Sequence, residues 1–148
     1  MIKNIFIIIV FVITNLLEVG LLKPFFHHFL FLNMAVLVVF ATNNKLYNQS
    51  LLLGLVYGII LNILFANNIF VLPIVFVLIV NILNKLSLWF GEKLTHKIVY
   101  TFVLVVLLRI VVEKNLPVET FGLEVVIAVM YTVIVNYFLN QFKQNVDF

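Results

Sequence analysis

Cysteine is absent from this sequence of 148 residues, and charged residues make up only 10% of it. Without thiols the chain has no disulfide framework, no thiolate zinc site and no dithiol redox pair. In an ordinary soluble domain about 25% of the residues are charged and about 45–50% are apolar. Here 65% are hydrophobic, which is more apolar surface than a soluble domain of this length can bury. The composition therefore predicts a protein of the lipid bilayer.

Residues that carry catalysis are also scarce. The chain has one aspartate, Asp147, and two serines, Ser50 and Ser87, and no sequence signature of nucleophilic catalysis is present. The adjacent imidazoles of His27 and His28 would point about 100° apart on a regular helix, so they would not easily face one metal ion. The net charge of +3 is too small and too scattered for a nucleic-acid interface. We expect no enzymatic activity, no cofactor and no metal site.

Apolar runs long enough to cross a bilayer follow one another along the whole chain. A spanning helix needs about 20 mostly apolar residues, and Pro73 suits the first turn of such a helix. Six runs leave no room for a second domain, so we expect residues 1–148 to form one all-α transmembrane domain, a compact bundle of about six helices. The first run lacks a following cleavage site and is expected to be retained. The expected spans are about 4–22, 25–42, 50–66, 73–90, 96–112 and, after Gly122, 123–142.

Basic residues are distributed unequally between the two ends of this predicted bundle. With six crossings, the N-terminus, the 43–49 loop, the 85–97 loop and the C-terminal tail share one side, which holds six lysines. The other side holds Lys23 and Lys114, with Arg109 close to it inside the fifth helix. Because positively charged loops remain in the cytoplasm, both termini are expected there. The loop around Trp89, with Lys85, Lys93, His96 and Lys97, is expected to face anionic headgroups.

Polar residues within the predicted spans are the candidates for function, because charges in a bilayer are costly. Glu18 and Arg109 are both expected near the outer ends of their helices. They would either pair with each other or extend to the external interface, and the second arrangement is favoured. Arg109 is also four residues from Glu113, so a local pair is open. Three asparagines, Asn81, Asn84 and Asn136, are expected to find partners inside the bundle.

The third predicted span carries a strip of small residues. Gly54 and Gly58 are four residues apart and share one helix face, where another backbone can approach closely. Asn62 lies one turn further along the same strip and is able to hydrogen-bond to a neighbouring helix. Two interpretations remain open for Gly54, Gly58 and Asn62: a docking strip for a partner's helix, or ordinary packing inside the bundle.

The stretch from residue 24 to residue 85 resembles the rod shape-determining MreD family of bacterial inner-membrane proteins. Pro24 and His28 precede an apolar second helix, and the polar turn Asn43-Asn44-Lys45 leads into the glycine-containing third helix. The family's Gly…Gly…Asp arrangement falls on Gly54, Gly58 and Asn62. Small size, five or six spans and the scarcity of catalytic groups agree with that family.

This resemblance implies a non-enzymatic scaffold or regulator of cell shape and lateral peptidoglycan synthesis in the bacterial inner membrane. Members of the family associate with MreC. Through MreC they are linked to the MreB filament and to the RodA transglycosylase with its class B penicillin-binding protein. The hypothesis that follows is that the strip of Gly54 and Gly58 receives the transmembrane helix of MreC.

A second functional class has the same expected architecture. Substrate-binding subunits of energy-coupling factor vitamin transporters are also small six-helix bundles. They usually carry a small-residue motif in the first helix for docking to the coupling module, whereas residues 5–22 here contain no alanine and one glycine, Gly20. A vitamin pocket would also need more polar groups from the external loops. The scaffold is therefore the favoured interpretation, and the transporter subunit is the alternative.

Overall fold

The structure is a computed structural model that describes residues 1–22, 31–65, 71–112 and 118–146. Within these ranges the chain forms six α-helices and no strand. A π-helical turn, Leu17–Leu22, continues the first helix, and a 3-10 turn, Asn44–Leu46, precedes the third. The helices are α1 Ile2–Leu16, α2 Leu32–Ala41, α3 Tyr47–Phe65, α4 Val71–Phe90, α5 Leu94–Val112 and α6 Val118–Asn145.

Four helical stretches are long and apolar enough to cross a membrane: Ile2–Gly20, Asn44–Leu64, Val71–Phe90 and Phe121–Asn145. They confirm the all-helical fold and indicate a membrane protein. α2 is shorter, with ten residues, and its length of about 15 Å is half the thickness of a hydrocarbon core of about 30 Å. Residues 25–30, the start of the predicted second span, lie outside the described residues.

The last helix begins before the expected span, which was placed at about 123–142 after Gly122. α6 begins at Val118, so Gly122 lies within its first turns rather than before them. A glycine inside a helix costs only about 1 kcal/mol relative to alanine, which a long helix offsets easily. Pro73, in contrast, lies in the first turn of α4 as predicted, where its missing N–H has no helical partner to lose.

The short helix α2 forms the centre of the bundle. All ten of its residues are buried, and it packs against α1, α3, α4, α5 and α6. Apart from Asn33, its side chains from Leu32 to Ala41 are apolar on every face. A helix that is hydrophobic all round requires apolar surroundings on all sides, and here the other five helices supply them.

The outer helices bury only one stripe each. In α4 the buried positions, apart from Pro73 beside Leu72, recur every three or four residues, at Leu72, Phe76, Val80, Leu83 and Ser87, which is the period of one helix face. The remaining faces of α1 and α4 expose isoleucine, leucine and valine. Aliphatic side chains on the outside are what a lipid environment favours.

Contacts between distant segments place four parts of the chain at one end of the bundle. Lys3 Nζ donates to the backbone oxygen of Lys45 at 2.7 Å, so the start of α1 meets the 3-10 turn. Asn84 Nδ2, near the end of α4, donates to Asn44 Oδ1 at 3.0 Å. The Phe142 ring near the end of α6 stacks on Phe6 with centroids 4.1 Å apart. We call this the lysine end of the bundle.

Candidate functional site

A polar stripe on α1 faces the interior of the bundle. Thr14 Oγ1 lies 2.7 Å from the hydroxyl of Tyr131 in α6 and shares a hydrogen bond with it. Asn15 Oδ1 accepts a hydrogen bond of 3.0 Å from Asn33 Nδ2 in α2. One turn further along, Glu18 is only 1% exposed. The stripe therefore ties α1 to both α2 and α6 by polar contacts rather than by apolar packing alone.

Glu18 caps the central helix. Its Oε1 accepts a hydrogen bond of 3.3 Å from the backbone N–H of Leu32, the first residue of α2. The first N–H groups of a helix lack helical acceptors and carry a partial positive charge, so a carboxylate is favourable there. Glu18 lies in the π-helical turn, a feature that occurs often at functional sites. The turn positions this carboxylate at the start of α2.

The backbone at the start of α2 is left-handed. Phe31 has φ +55° and ψ +39°, a conformation that is uncommon for residues other than glycine. Its ring faces the guanidinium of Arg109, with 6.0 Å between the Arg109 Cζ and the ring centroid, which is within the range of a cation–π contact. Glu18 and Arg109 therefore both converge on the first residues of α2.

Arg109 forms a buried ion pair with Glu124 of α6. The two residues are 2% and 0% exposed, so both charges are removed from solvent. Such a pair gains little net stability over apolar residues, but the loss of one partner leaves a charge stranded in the interior. The pair therefore fixes how α5 and α6 lie against each other.

The ion pair belongs to a regular ladder between α5 and α6. Lys97 Nζ donates to Asn136 Oδ1 at 2.8 Å, and Thr132 Oγ1 donates to Thr101 Oγ1 at 2.9 Å. Each step of four residues along α5 matches a step of four back along α6, as expected for antiparallel helices packed through their four-residue ridges. The step between the threonines and the ion pair is apolar, with Val105 and Ala128 both buried.

Two further polar atoms are buried, one in α3 and one in α2. The Tyr57 hydroxyl of α3 and Asn33 Oδ1 of α2 are inaccessible to solvent and have no hydrogen-bond partner among the described residues. Tyr57 is 1% exposed, and its ring meets that of Phe76 edge to face at 5.2 Å. Buried polar atoms are normally satisfied, so a further hydrogen-bonding group would find partners in these two atoms.

The glycine strip of α3 is covered by α4 of the same chain. A Cβ on Gly58 would lie 2.5 Å from Pro73 Cα and 2.7 Å from Pro73 N. A Cβ on Gly54 would lie 3.2 Å from Val80 Cγ2, and Asn62 is buried as well. The two backbones approach so closely that there is no room for another helix. The hypothesis that this strip receives the helix of MreC is therefore wrong, and packing inside the bundle is the correct interpretation.

The expectation that Glu18 and Arg109 extend to the external interface is also wrong. Both side chains lie inside the bundle, where the cap of α2 and the pair with Glu124 hold them. A direct pair between Glu18 and Arg109 stays a prediction. Lys97 was expected at the headgroup surface, but it is 4% exposed and bonded to Asn136. Glu113 and the two adjacent histidines, residues 27 and 28, lie outside the described residues.

The prediction that spanning asparagines find partners inside the bundle is confirmed. Asn136 accepts from Lys97, Asn81 accepts from the Tyr47 hydroxyl, and Asn84 donates to Asn44 and to the backbone oxygen of Ala41. Sequence reasoning missed Glu124, Thr101 and Thr132. The available signal was a spacing of polar positions in multiples of four residues, at 97, 101 and 109 in α5 and at 124, 132 and 136 in α6.

No protein-family model matches this chain, and neither does any curated protein or solved structure. The described residues contain no group of three or more histidine, cysteine, aspartate or glutamate side chains able to hold a metal ion. The fold indicates a helical membrane protein, and four of its charged side chains, Glu18, Lys97, Arg109 and Glu124, are buried between its own helices.

Proposed function

We propose that this protein is a non-enzymatic scaffold of the bacterial inner membrane that acts by binding other membrane proteins, as members of the MreD family do. Its partners would be MreC and, through it, RodA with its class B penicillin-binding protein and the MreB filament. Binding energy would position or activate a peptidoglycan synthase during cell elongation. This proposal rests on the resemblance of residues 24–85 and on the way the polar groups are used.

The use of the polar groups is the observation that carries the proposal. Arg109 and Glu124, Lys97 and Asn136, and Thr101 and Thr132 each join α5 to α6. Intramembrane polar contacts of this kind hold helices in a defined arrangement. A bundle whose buried charges join its own helices is suited to present a fixed outer surface, which is what a scaffold needs.

The outer face of α1 is the surface we assign to the partner helix. Only 17% of the apolar stretch of α1 is buried, and Ile5, Ile9, Ile13 and Leu16 are each about half or more exposed. The glycine strip of α3 is covered by α4, so the partner must bind elsewhere. An aliphatic face of this length is able to pack along a single transmembrane helix by van der Waals contact.

The proposed arrangement in the membrane has six spans with both termini in the cytoplasm. In this arrangement α2 and α5 are the two further spans beside the four long apolar helices. The lysine end of the bundle faces the cytoplasm, in agreement with the bias of basic residues toward that side. Glu18, Arg109 and Glu124 then lie in the outer half of the bilayer.

Purification from the native membrane tests the proposed function. The tagged protein would be extracted in a gentle detergent, and the proteins that accompany it would be quantified by mass spectrometry against an unrelated tagged membrane protein. We expect MreC in stoichiometric amount, with RodA or a penicillin-binding protein. The absence of all three from a preparation that retains its bound lipids would contradict the proposal.

The alternative is a substrate-binding subunit of an energy-coupling factor transporter. The observation in its favour is that some buried polar atoms, among them the Tyr57 hydroxyl and Asn33 Oδ1, have no hydrogen-bond partner among the described residues, since a polar ligand would satisfy such atoms. The same purification separates the two functions. A pair of ATPases with a transmembrane coupling subunit would support the transporter, and Tyr57→Phe would then be expected to weaken ligand binding.

A further inference from the structure

The buried ammonium group of Lys97 has a neutral partner where a counter-charge is expected. Lys97 is 4% exposed, and its Nζ donates to Asn136 Oδ1 at 2.8 Å. Among the described residues no carboxylate forms an ion pair with it. Charged side chains within a membrane bundle are costly and are usually paired. The contact between α5 and α6 at Lys97 therefore has a positive charge with no bonded anion.

Hydrogen-bond donors outnumber acceptors at the same point. An ammonium group has three N–H donors and a side-chain amide has two. Lys97 uses one donor on Asn136 Oδ1, and no acceptor of the described residues takes the others or those of Asn136 Nδ2. The threonines below are already engaged: Thr101 Oγ1 donates to the Lys97 backbone oxygen and Thr132 Oγ1 donates to Thr101 Oγ1, each at 2.9 Å. A positive charge with donors to spare is what an anion requires.

The position of Lys97 in its helix also favours an anion. Lys97 lies in the first turn of α5, which begins at Leu94, and helical side chains lean toward the start of their helix. The N–H groups of a first turn lack helical acceptors and carry a partial positive charge. Glu92 and Lys143 both act electrostatically on Lys97, but their opposite charges offset each other. The charge of Lys97 therefore remains for a bound anion to balance.

We propose that Lys97 and Asn136 bind a small monovalent anion of the halide class, which joins α5 to α6. Both residues are almost closed off, at 4% and 8% exposed, so an ion that enters without parting the two helices has to be small. A phosphate group with attached acyl chains would need a wider opening. One negative charge balances the one ammonium group. The site does not depend on the proposed partner proteins.

A chloride titration of the full-length protein in detergent tests the proposal. The starting buffer contains gluconate as its anion, which is too large for the site, and chloride replaces it at constant ionic strength. Binding to the folded state alone raises stability, so the thermal midpoint should rise by about 3–6 °C at ten times the dissociation constant. The line width of the chloride NMR signal should show bound chloride, and bromide should displace it.

Three variants show where the anion binds. Asn136→Asp places a carboxylate beside Lys97 and so supplies the counter-charge from the chain itself; it should fold and lose the rise with chloride. Lys97→Met should also lose the rise, because the ammonium group is gone. Lys85→Met is the matched control, since Lys85 is exposed on α4 and its loss removes the same charge. This control should keep the full rise.

Three results would overturn the assignment. The first is a wild-type thermal midpoint that is the same in gluconate and in chloride. The second is a full rise with chloride in Asn136→Asp. The third is an equal loss of the rise in Lys85→Met and Lys97→Met, because the effect would then depend on total charge. If Lys97→Met fails to fold, the comparison of Asn136→Asp with the wild type and Lys85→Met decides.

Discussion

The close approach of α3 and α4 at Gly58 makes the most quantitative prediction. Adding one methyl group, as in Gly58→Ala, places a carbon atom 2.5 Å from Pro73 Cα and 2.7 Å from Pro73 N. Non-bonded carbon atoms prefer about 3.5–4.0 Å, so α4 must move by about 1 Å. The obstructing atoms belong to the backbone, and no side-chain rotation can relieve the contact.

Gly54→Ala is the matched comparison on the same strip. The added carbon would lie 3.2 Å from Val80 Cγ2, 3.5 Å from the Phe76 oxygen and 3.6 Å from Leu37 Cδ1. The nearest atom is a methyl group at the end of a side chain, which is able to shift by a few tenths of an ångström. Gly122→Ala is the control for helix propensity alone, because no atom lies within 4 Å of the added carbon.

The magnitudes follow from two opposing effects. Overpacking of an interior costs about 1–3 kcal/mol, whereas replacing glycine by alanine within a helix gains about 1 kcal/mol. The difference is a net cost of up to about 2 kcal/mol, and because the contact is with backbone atoms we expect Gly58→Ala to lower the free energy of unfolding by an amount near that upper value. Gly54→Ala should change it by less than about 0.5 kcal/mol, and Gly122→Ala should raise it by up to about 1 kcal/mol.

Reversible unfolding in mixed micelles, followed by circular dichroism as the fraction of sodium dodecyl sulfate increases, measures these differences. The order of stability should be Gly122→Ala first, then the wild type and Gly54→Ala together, and Gly58→Ala last. If Gly58→Ala proved as stable as Gly122→Ala, α4 would not cover the glycine strip. The strip would again be available to a partner's helix.

Two further predictions concern the ion pair and the arrangement in the membrane. Arg109→Met or Glu124→Leu alone should each destabilise the protein by about 3–5 kcal/mol, whereas the double variant should be closer in stability to the wild type. If the losses of the two single variants added up in the double variant in the same unfolding assay, the result would count against a direct pair. Because the natural chain has no cysteine, single cysteines introduced at Asn48, Asn115 and Gln144 report their side of the membrane. With six spans and cytoplasmic termini, a membrane-impermeant maleimide should label only Asn115→Cys in intact cells, and labelling of Gln144→Cys there would contradict the proposed topology.

Much of the helix pattern could be predicted from the sequence, since apolar runs and Pro73 mark where helices begin and end. The central position of α2 could not. Within a bilayer the surroundings of a helix are apolar whether they are lipid or protein, so a helix that is hydrophobic on all faces does not indicate which of the two surrounds it. The exposed outer stripes of α1 and α4 are just as apolar as α2, and only the three-dimensional arrangement separates them.

The sequence indicated which polar residues lie inside the bundle better than it indicated which of them pair with each other. Glu18, Arg109 and Asn136 stand out because charges and amides in apolar runs are rare, but the partners considered for Arg109 were Glu18 and Glu113, and Glu124 was missed. The choice of Glu124 depends on the antiparallel register of α5 and α6, which the ladder from Lys97 to Arg109 defines. The spacing of the glycines was equally ambiguous, because the same strip is able to pack against a helix of its own chain or against a helix of a partner.

Site-specific photo-crosslinking in living cells tests most directly whether the outer face of this bundle binds a partner. A photoreactive residue would replace Ile9, which is 50% exposed on α1, or Leu78, which is 56% exposed on α4, and Val105 in the buried ladder would serve as the control. The account predicts a covalent adduct with MreC from Ile9, a weaker one or none from Leu78, and none from Val105. If no MreC adduct formed at Ile9 in cells where the inserted protein is abundant and MreC is present, the result would contradict the account.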